Sequence, residues 1–252
     1  MIIARFWDGN NVCFGLIEND LVKLINGNPF NDFEIAKKTW HIDEIQLLAP
    51  CTPSKIICIG LNYHDHAREM SLPVPTEPVV FLKPPSSVIG SGNNIIFPPL
   101  CTRMDYEAEL AIVIGSITKD IDESEAEEKI FGYTCANDIT ARNLQPKNGQ
   151  WTIAKSFDTF CPLGPYIITN IKANNLKISL RVNGELKQDS NTSQMIFSPT
   201  YLVSYLSKVM TLFPGDVIIT GTPSGVGEIK PGDTVEVYIE NIGKLVNKVT
   251  LK

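Results

Sequence analysis

The sequence has no apolar run near the ~18 residues that a membrane-spanning helix requires. Its longest runs, Ile56 to Ile59 and Leu110 to Ile114, are the size of strands. Met1 to Asp8 lacks the basic start and long apolar stretch of a secretory leader, so none is expected. Positive charge is not in excess: 22 Lys and Arg against 28 Asp and Glu leave a net −6, which argues against a nucleic-acid partner. The six cysteines (Cys13, Cys51, Cys58, Cys101, Cys135 and Cys161) include no Cys-x-x-Cys pair. In a chain this long they read as reduced, mostly buried thiols of a cytoplasmic protein, not a disulfide framework. Low-complexity tracts are absent, and no repeat of roughly 20–50 residues recurs along the chain.

At roughly 150 residues per domain, 252 residues point to one large domain with a small companion. Residues 1–52 read as a small β-rich N-terminal domain. Ile2–Phe6, Val12–Ile17 and Leu21–Ile25 are short apolar runs divided by Asp8-Gly-Asn-Asn11 and Asn19-Asp20, the punctuation of hairpins. A polar stretch, Asp32–Lys38, is predicted as helix, and Ala49-Pro-Cys-Thr-Pro-Ser54 as the boundary. Residues 53–252 read as a strand-dominated catalytic domain. Strands are predicted at Lys55–Gly60, Val79–Leu82, Glu107–Ile114, Phe131–Ala136, Tyr166–Ile168, Lys177–Val182, Val217–Thr220 and Thr234–Ile239, with helices at Asp65–Met70, Glu123–Ile130 and Pro199–Val209. Pro214-Gly-Asp216 and Pro231-Gly-Asp233 repeat one turn, each leading into a strand. The class is mostly β with a few helices (α+β), in a rolled, barrel-like mixed sheet.

Chemistry concentrates in a few places. In Asp105-Tyr-Glu-Ala-Glu-Leu110, Glu107 and Glu109 stand two apart, and on a strand that period aims both carboxylates at one side. Two acids sharing a space repel unless a proton or cation joins them, and a hard divalent ion serves; a solvent-facing strand with alternating acids fits the spacing equally well. Asp138, at the end of the next predicted strand, would complete a site of three carboxylates. Oxygen donors alone favour Mg²⁺, Mn²⁺ or Ca²⁺ over zinc. Arg142 and Lys155 are the nearby cations that could hold a substrate carboxylate. His66 and Glu69 are three apart, close enough on one helical turn for the carboxylate to orient the imidazole as a base for water; a surface helix with an incidental ion pair has the same spacing. His64 meets Arg68 instead, and His41 reads as a surface or capping residue. Thr220-Gly-Thr-Pro-Ser-Gly-Val-Gly227 lacks the Lys-Ser/Thr ending of a phosphate loop. It is either a bare turn or a loop bringing the Thr222 hydroxyl and backbone amides to a ligand.

Taken together and in order, these stretches resemble the fumarylacetoacetate hydrolase family over roughly residues 55–252. The likeness is carried by Gly60-Leu-Asn-Tyr63 with Asp65, His66 and Glu69, Phe81-Leu-Lys-Pro84, Asp105–Leu110, Asn137-Asp-Ile-Thr-Ala-Arg142, Lys155-Ser-Phe-Asp-Thr159, Val182-Asn-Gly-Glu185 and Pro214–Gly227. It implies a rolled mixed sheet, a homodimer and a bound Mg²⁺ or Mn²⁺. By position, Glu107, Glu109 and Asp138 match the family's metal ligands, and His66 and Glu69 its water-activating pair on a lid. Arg142, Gln145, Lys155 and Thr222 match residues around substrate and metal, with Lys83 nearby. Leu61 stands where acylpyruvase-like relatives often carry arginine, and Asn143 where many carry aspartate; both resemble the bacterial branch labelled hydroxymuconate isomerase. Members hydrolyse, decarboxylate or isomerise small 2-oxo or 2,4-dioxo acids by way of an enolate. The leading expectation is therefore metal-dependent C–C hydrolysis of an acylpyruvate-like acid, with His66 as base, Lys155 stabilising developing charge, and Arg142 and Gln145 holding the carboxylate. Decarboxylation or isomerisation of a 2-oxo acid is the alternative, and a metal-stabilised binding protein without turnover is the third.

Overall fold

The computed structural model describes residues 1–251. Its backbone is built around a twelve-stranded mixed sheet. From one end the strands run Phe33–His41, Leu21–Gly27, Val12–Glu18, Ile2–Trp7, Cys161–Ile168, Ile130–Asn137, Ala108–Ile114, Val217–Ile219, Ile56–Gly60 and Val79–Lys83, with Gln46–Leu47 and Val88–Ile89 as short branches. A five-stranded sheet (Glu185–Asn191, Lys177–Val182, Thr234–Ile239, Gly243–Leu251, Asn94–Phe97) packs against it. Between them lies a small three-stranded sheet of Thr140–Ala141, Met104–Tyr106 and Gly227–Ile229. The mostly-β class with few helices and mixed sheets stands. The large sheet is an open path whose end strands, Phe33–His41 and Val79–Lys83, do not pair with each other.

The strands follow from composition. Ala108–Ile114 is buried along its whole length, as a strand covered on both faces must be. Ile56–Gly60 and Val217–Ile219, rich in isoleucine and valine, pair in parallel near one end of the sheet. Leu110 and Ile112 point into the main core with Leu180, Val237 and Leu245 of the five-stranded sheet, while Ala111 and Val113 point to a second cluster with Cys58, Cys161 and Ile219. Pro199–Val209 is the one long helix. Ser198 caps it by accepting the Tyr201 N–H (3.1 Å), and Pro199 sits where no donor is needed.

One element corrects the sequence reading. Of residues 32–38, expected to be helical, all but Asp32 belong to the strand Phe33–His41. An isolated polar helix of that length is marginal in water. The strand instead pairs antiparallel with Leu21–Gly27, with Ile25 opposite Ile35 and Gly27 opposite Phe33, and resumes after a shift in register with Lys23 opposite Thr39. The N-terminal strands also continue the large sheet, because Ile2 and Ile3 pair with Ile168 and Ile167. Among the described residues no helix is long and apolar enough to cross a membrane.

Candidate active site

Two adjacent strands leave the main sheet at the same level. The last pair in register is Ala108 with Asn137. One residue further, the Asp138 N–H donates to the Glu107 carbonyl (2.9 Å); beyond it, Asp105 pairs with Thr140 in the small sheet. Glu107 and Asp138 therefore sit where both backbones change sheets, and Glu109 lies one pair back, opposite Ala136. Each offers a carboxylate oxygen, and these oxygens lie within 4.8 Å of one another, all three residues buried.

Lysines and an arginine surround this cluster. Lys155, at the end of the short helix Thr152–Lys155, donates to Glu107 (2.9 Å) and Asp138 (2.6 Å) with its ammonium 5.1 Å from the Phe81 ring. Lys83, on the strand Val79–Lys83 and fully buried, donates to Asp138 and to the Ile139 carbonyl (3.0 Å). Arg142 opens a 3₁₀ turn and spreads its guanidinium over Glu107 (2.6 Å), Asp105 (2.8 Å) and Gln145 (2.6 Å). Burial resists ionisation of Glu107, but Lys155 and Arg142 override it and hold the carboxyl at about 2. Burial likewise works against the Lys155 charge, and Asp138 and Glu107 overcome it, raising its pKa. Glu109 differs. Among the described residues no cation pairs with it; its carboxylate accepts the Gly221 N–H. Burial, followed by the charges of Asp138 and Glu107, pushes it well above the usual carboxylate range.

A buried carboxylate facing two others without a cation of its own marks a site short of positive charge. The donor set is oxygen only, which suits a hard divalent ion. Glu107, Glu109 and Asp138 could hold one.

Across the cavity stands the helix His64–Glu69. His66 Nδ1 lies 3.0 Å from Glu69 Oε2, so Nδ1 carries the proton it donates and Nε2 is left as the basic nitrogen. Glu69 is fixed from behind by the Gly225 N–H (3.0 and 3.2 Å to its two oxygens). Gly225 has φ +95°, and a Cβ there would fall 2.3 Å from the Lys187 carbonyl, so only glycine fits. His66, Glu69, the three acids, Arg142, Gln145, Lys155 and Thr222 all line one cavity of about 930 Å³. Leu61 lines it too, held at φ +34°. His64 stays outside the lining, and His41 accepts the Asp43 N–H (3.4 Å) as a helix cap.

Several site residues carried no clear signal. Asp105, buried, takes both the Arg103 and Arg142 guanidiniums, although the sequence marks it only as the head of the motif. Gln188 binds the loop around Thr222 from another sheet, 80 residues from its partner Ala108 in the chain. The Gly221 amide has no side chain to announce it. Lys83 is marked only by the family resemblance, as a residue near the site.

Comparison with known proteins identifies the family. Residues 55–250 match the fumarylacetoacetate (FAA) hydrolase C-terminal family, and residues 1–50 the Rv2993c-like N-terminal family. Protein MJ1656 of Methanocaldococcus jannaschii is 57% identical over 197 residues, covering 78% of this chain and 83% of its own. The mitochondrial oxaloacetate tautomerase FAHD2B of Bos taurus is 48% identical over 219 residues, 82% of this chain and 70% of its own. The crystal structure of 5-carboxymethyl-2-hydroxymuconate delta-isomerase from Mycobacterium smegmatis superposes with a TM-score of 0.94 at 42% identity, covering all of both chains. Because the family's catalytic model spans residues 55–250, most of the sequence, this chain belongs to the fumarylacetoacetate hydrolase family of enzymes.

Proposed function

We propose that the protein is a divalent-metal-dependent enzyme that moves a proton on a small 2-oxo acid, interconverting keto and enol forms of an oxaloacetate-like compound. The observation that carries this reading is one cavity with a carboxylate cluster short of a cation on one wall and a carboxylate-oriented imidazole on the other. Names of relatives lend support, one a tautomerase of oxaloacetate and one an isomerase.

A hard cation on Glu107, Glu109 and Asp138 would supply Lewis acidity to the keto group, making the neighbouring C–H more acidic. His66 takes that proton on Nε2 while Glu69 stabilises the imidazolium that forms, and His66 then returns the proton to the enolate oxygen. Lys155 keeps Glu107 ionised, pairs with Asp138 and brings fixed positive charge to the wall of the cavity. Arg142 and Gln145 hold each other and offer their remaining donors to the substrate carboxylate. The helix His64–Glu69 carries the His66–Glu69 pair on one wall of the cavity.

C–C hydrolysis of a 2,4-dioxo acid is the second reading, favoured by a specific observation: the Glu69 side chain is 40% exposed, so water reaches the dyad. Incubation with Mg²⁺ or Mn²⁺ separates the two. Accelerated decay of the oxaloacetate enol absorbance supports the first. Pyruvate plus a second acid from an acylpyruvate supports the second, and carbon dioxide from oxaloacetate would move the assignment to decarboxylation. An enzyme inert in all three assays sinks the reading. We take the active form as a homodimer, as the family resemblance implies, and light scattering that returned 27.9 kDa would reject it. Six free cysteines, five of them buried, fit a reducing compartment such as the cytoplasm.

A further inference from the structure

Thr222 is 5% exposed and lines the cavity. Its hydrogen-bond partner among the described residues is Gln188, whose Nε2 donates to Thr222 Oγ1 (2.9 Å). The orientation of that amide is set by its other neighbours. Gln188 Oε1 accepts the Ala108 N–H (2.9 Å), and the same Nε2 faces the carbonyls of Pro223 (2.9 Å) and Ser224 (3.4 Å). A flipped amide would set oxygen against two carbonyls and NH₂ against an N–H, so only one orientation satisfies all four groups. Gln188 is itself buried at 1% exposure, with no water to exchange for these partners. Thr222 therefore has a lone pair engaged and its own O–H unused, in a nearly dry position.

We propose that Gln188 is a positioning residue that fixes the Thr222 hydroxyl as a donor, aimed at an anionic oxygen of the substrate. A threonine left free could turn either way and accept from a substrate hydroxyl. With one lone pair taken by Gln188, its O–H is turned away from that side chain and left to donate, so the cavity at this point favours carboxylate or enolate oxygen. Gln188 also ties the loop to Ala108, between Glu107 and Glu109, so the donor is placed relative to the acids by one side chain. The inference rests on the reading of the cavity as a 2-oxo acid site.

The test uses the full chain loaded with Mg²⁺ and oxalate as a non-reacting probe, followed by calorimetry, with thermal unfolding and Mg²⁺ binding as controls of the fold. T222V keeps the side-chain shape and leaves Gln188 its two carbonyl partners. It should weaken oxalate binding about tenfold or more, as loss of a hydrogen bond to a charged group does, while T222S binds within about twofold of the parent. Q188E reverses the polarity at Thr222 and should weaken oxalate to a similar degree. Because both changes remove one and the same donation, Q188E/T222V should bind no more weakly than the weaker single variant. Parent-like binding by T222V overturns the proposal, as do single effects that multiply in the double variant, or a parent protein that binds no oxalate. If Q188E does not fold, the T222V and T222S pair decides the matter. Oxalate bound and lost as expected, with oxaloacetate left unturned, removes the tautomerase reading and leaves this one in place.

Discussion

Glu109 is the residue on which the electrostatics of the site turn. Its neighbours Glu107 and Asp138 have lysine and arginine partners; Glu109 has a backbone amide. Its carboxyl is held well above the usual range by burial, Asp138 and Glu107, and a metal needs it deprotonated. Mg²⁺ binding should therefore expel a proton, and the apparent affinity should fall as pH falls, by up to about tenfold per unit where one proton is released. Calorimetry in two buffers of different ionisation enthalpy reads that proton directly. For folding the sign is the reverse of an ordinary paired acid. A raised pKa stabilises the protonated form, so the metal-free protein should lose stability as pH rises through the Glu109 titration. Glu107, held at about 2, does the opposite: its contribution is present above its ordinary 4.5 and is lost as pH falls toward 2. E109Q should thus melt no lower than the parent without metal, yet fail to gain the ~2.7 kcal/mol that Mg²⁺ at a hundred times Kd gives the parent, roughly 5–10 °C in Tm. His66 stands apart from the acids, so H66A should lower kcat/KM by about 10²–10⁴ with Mg²⁺ binding unchanged; near-parental turnover would remove the imidazole from the chemistry.

At the scale of elements, the helix His64–Glu69 is the part that depends most on its tethers. Six residues, His64–Glu69, are too few to hold a helix in water. Side chains anchor it instead. Asn62 at its base is fully buried, donating to the Phe197 (3.1 Å) and Thr220 (2.7 Å) carbonyls and accepting the Phe197 N–H (2.8 Å). Asp65 accepts the Ser190 hydroxyl, and Glu69 accepts the Gly225 N–H. S190A should loosen the middle tether alone. Faster amide exchange at Ala67 and Met70, whose N–H groups bond to Tyr63 (2.9 Å) and His66 (3.0 Å), with a raised KM, is the expected result. Unchanged exchange would mean that Asn62 and Glu69 suffice. G225A tests the third tether more harshly, because a side chain at φ +95° against the Lys187 carbonyl costs about 1–3 kcal/mol in backbone strain alone.

For the molecule as a whole, the N-terminal strands and the later ones share a sheet. Ile2–Trp7 covers the edge of Cys161–Ile168. Removing residues 1–50 should bare that edge and reduce the soluble yield, since an unpaired buried strand pairs with other chains; a monodisperse truncated protein would show the edge to be protected otherwise. Much of this architecture was legible in advance. Pro199–Val209 was readable to the residue because helix period, Ser198 cap and Pro199 coincide. Phe33–His41 was not, since a polar stretch takes whichever form its neighbour allows, and here the neighbour is a strand edge. Glu107, Glu109, His66 and Glu69 were found because local spacing of two or three residues is itself geometry. Asp105 and Gln188 escaped, their partners lying 37 and 80 residues away. The sequence by itself determined which side chains carry acid, base and charge, and the short-range faces they share. Only the tertiary structure decided that two backbones leave the sheet together beside Asp138, that Glu109 pairs with no cation among the described residues, and that Gln188 donates to the Thr222 hydroxyl. Those outcomes depend on contacts between segments far apart in the chain, which no local pattern of residues encodes.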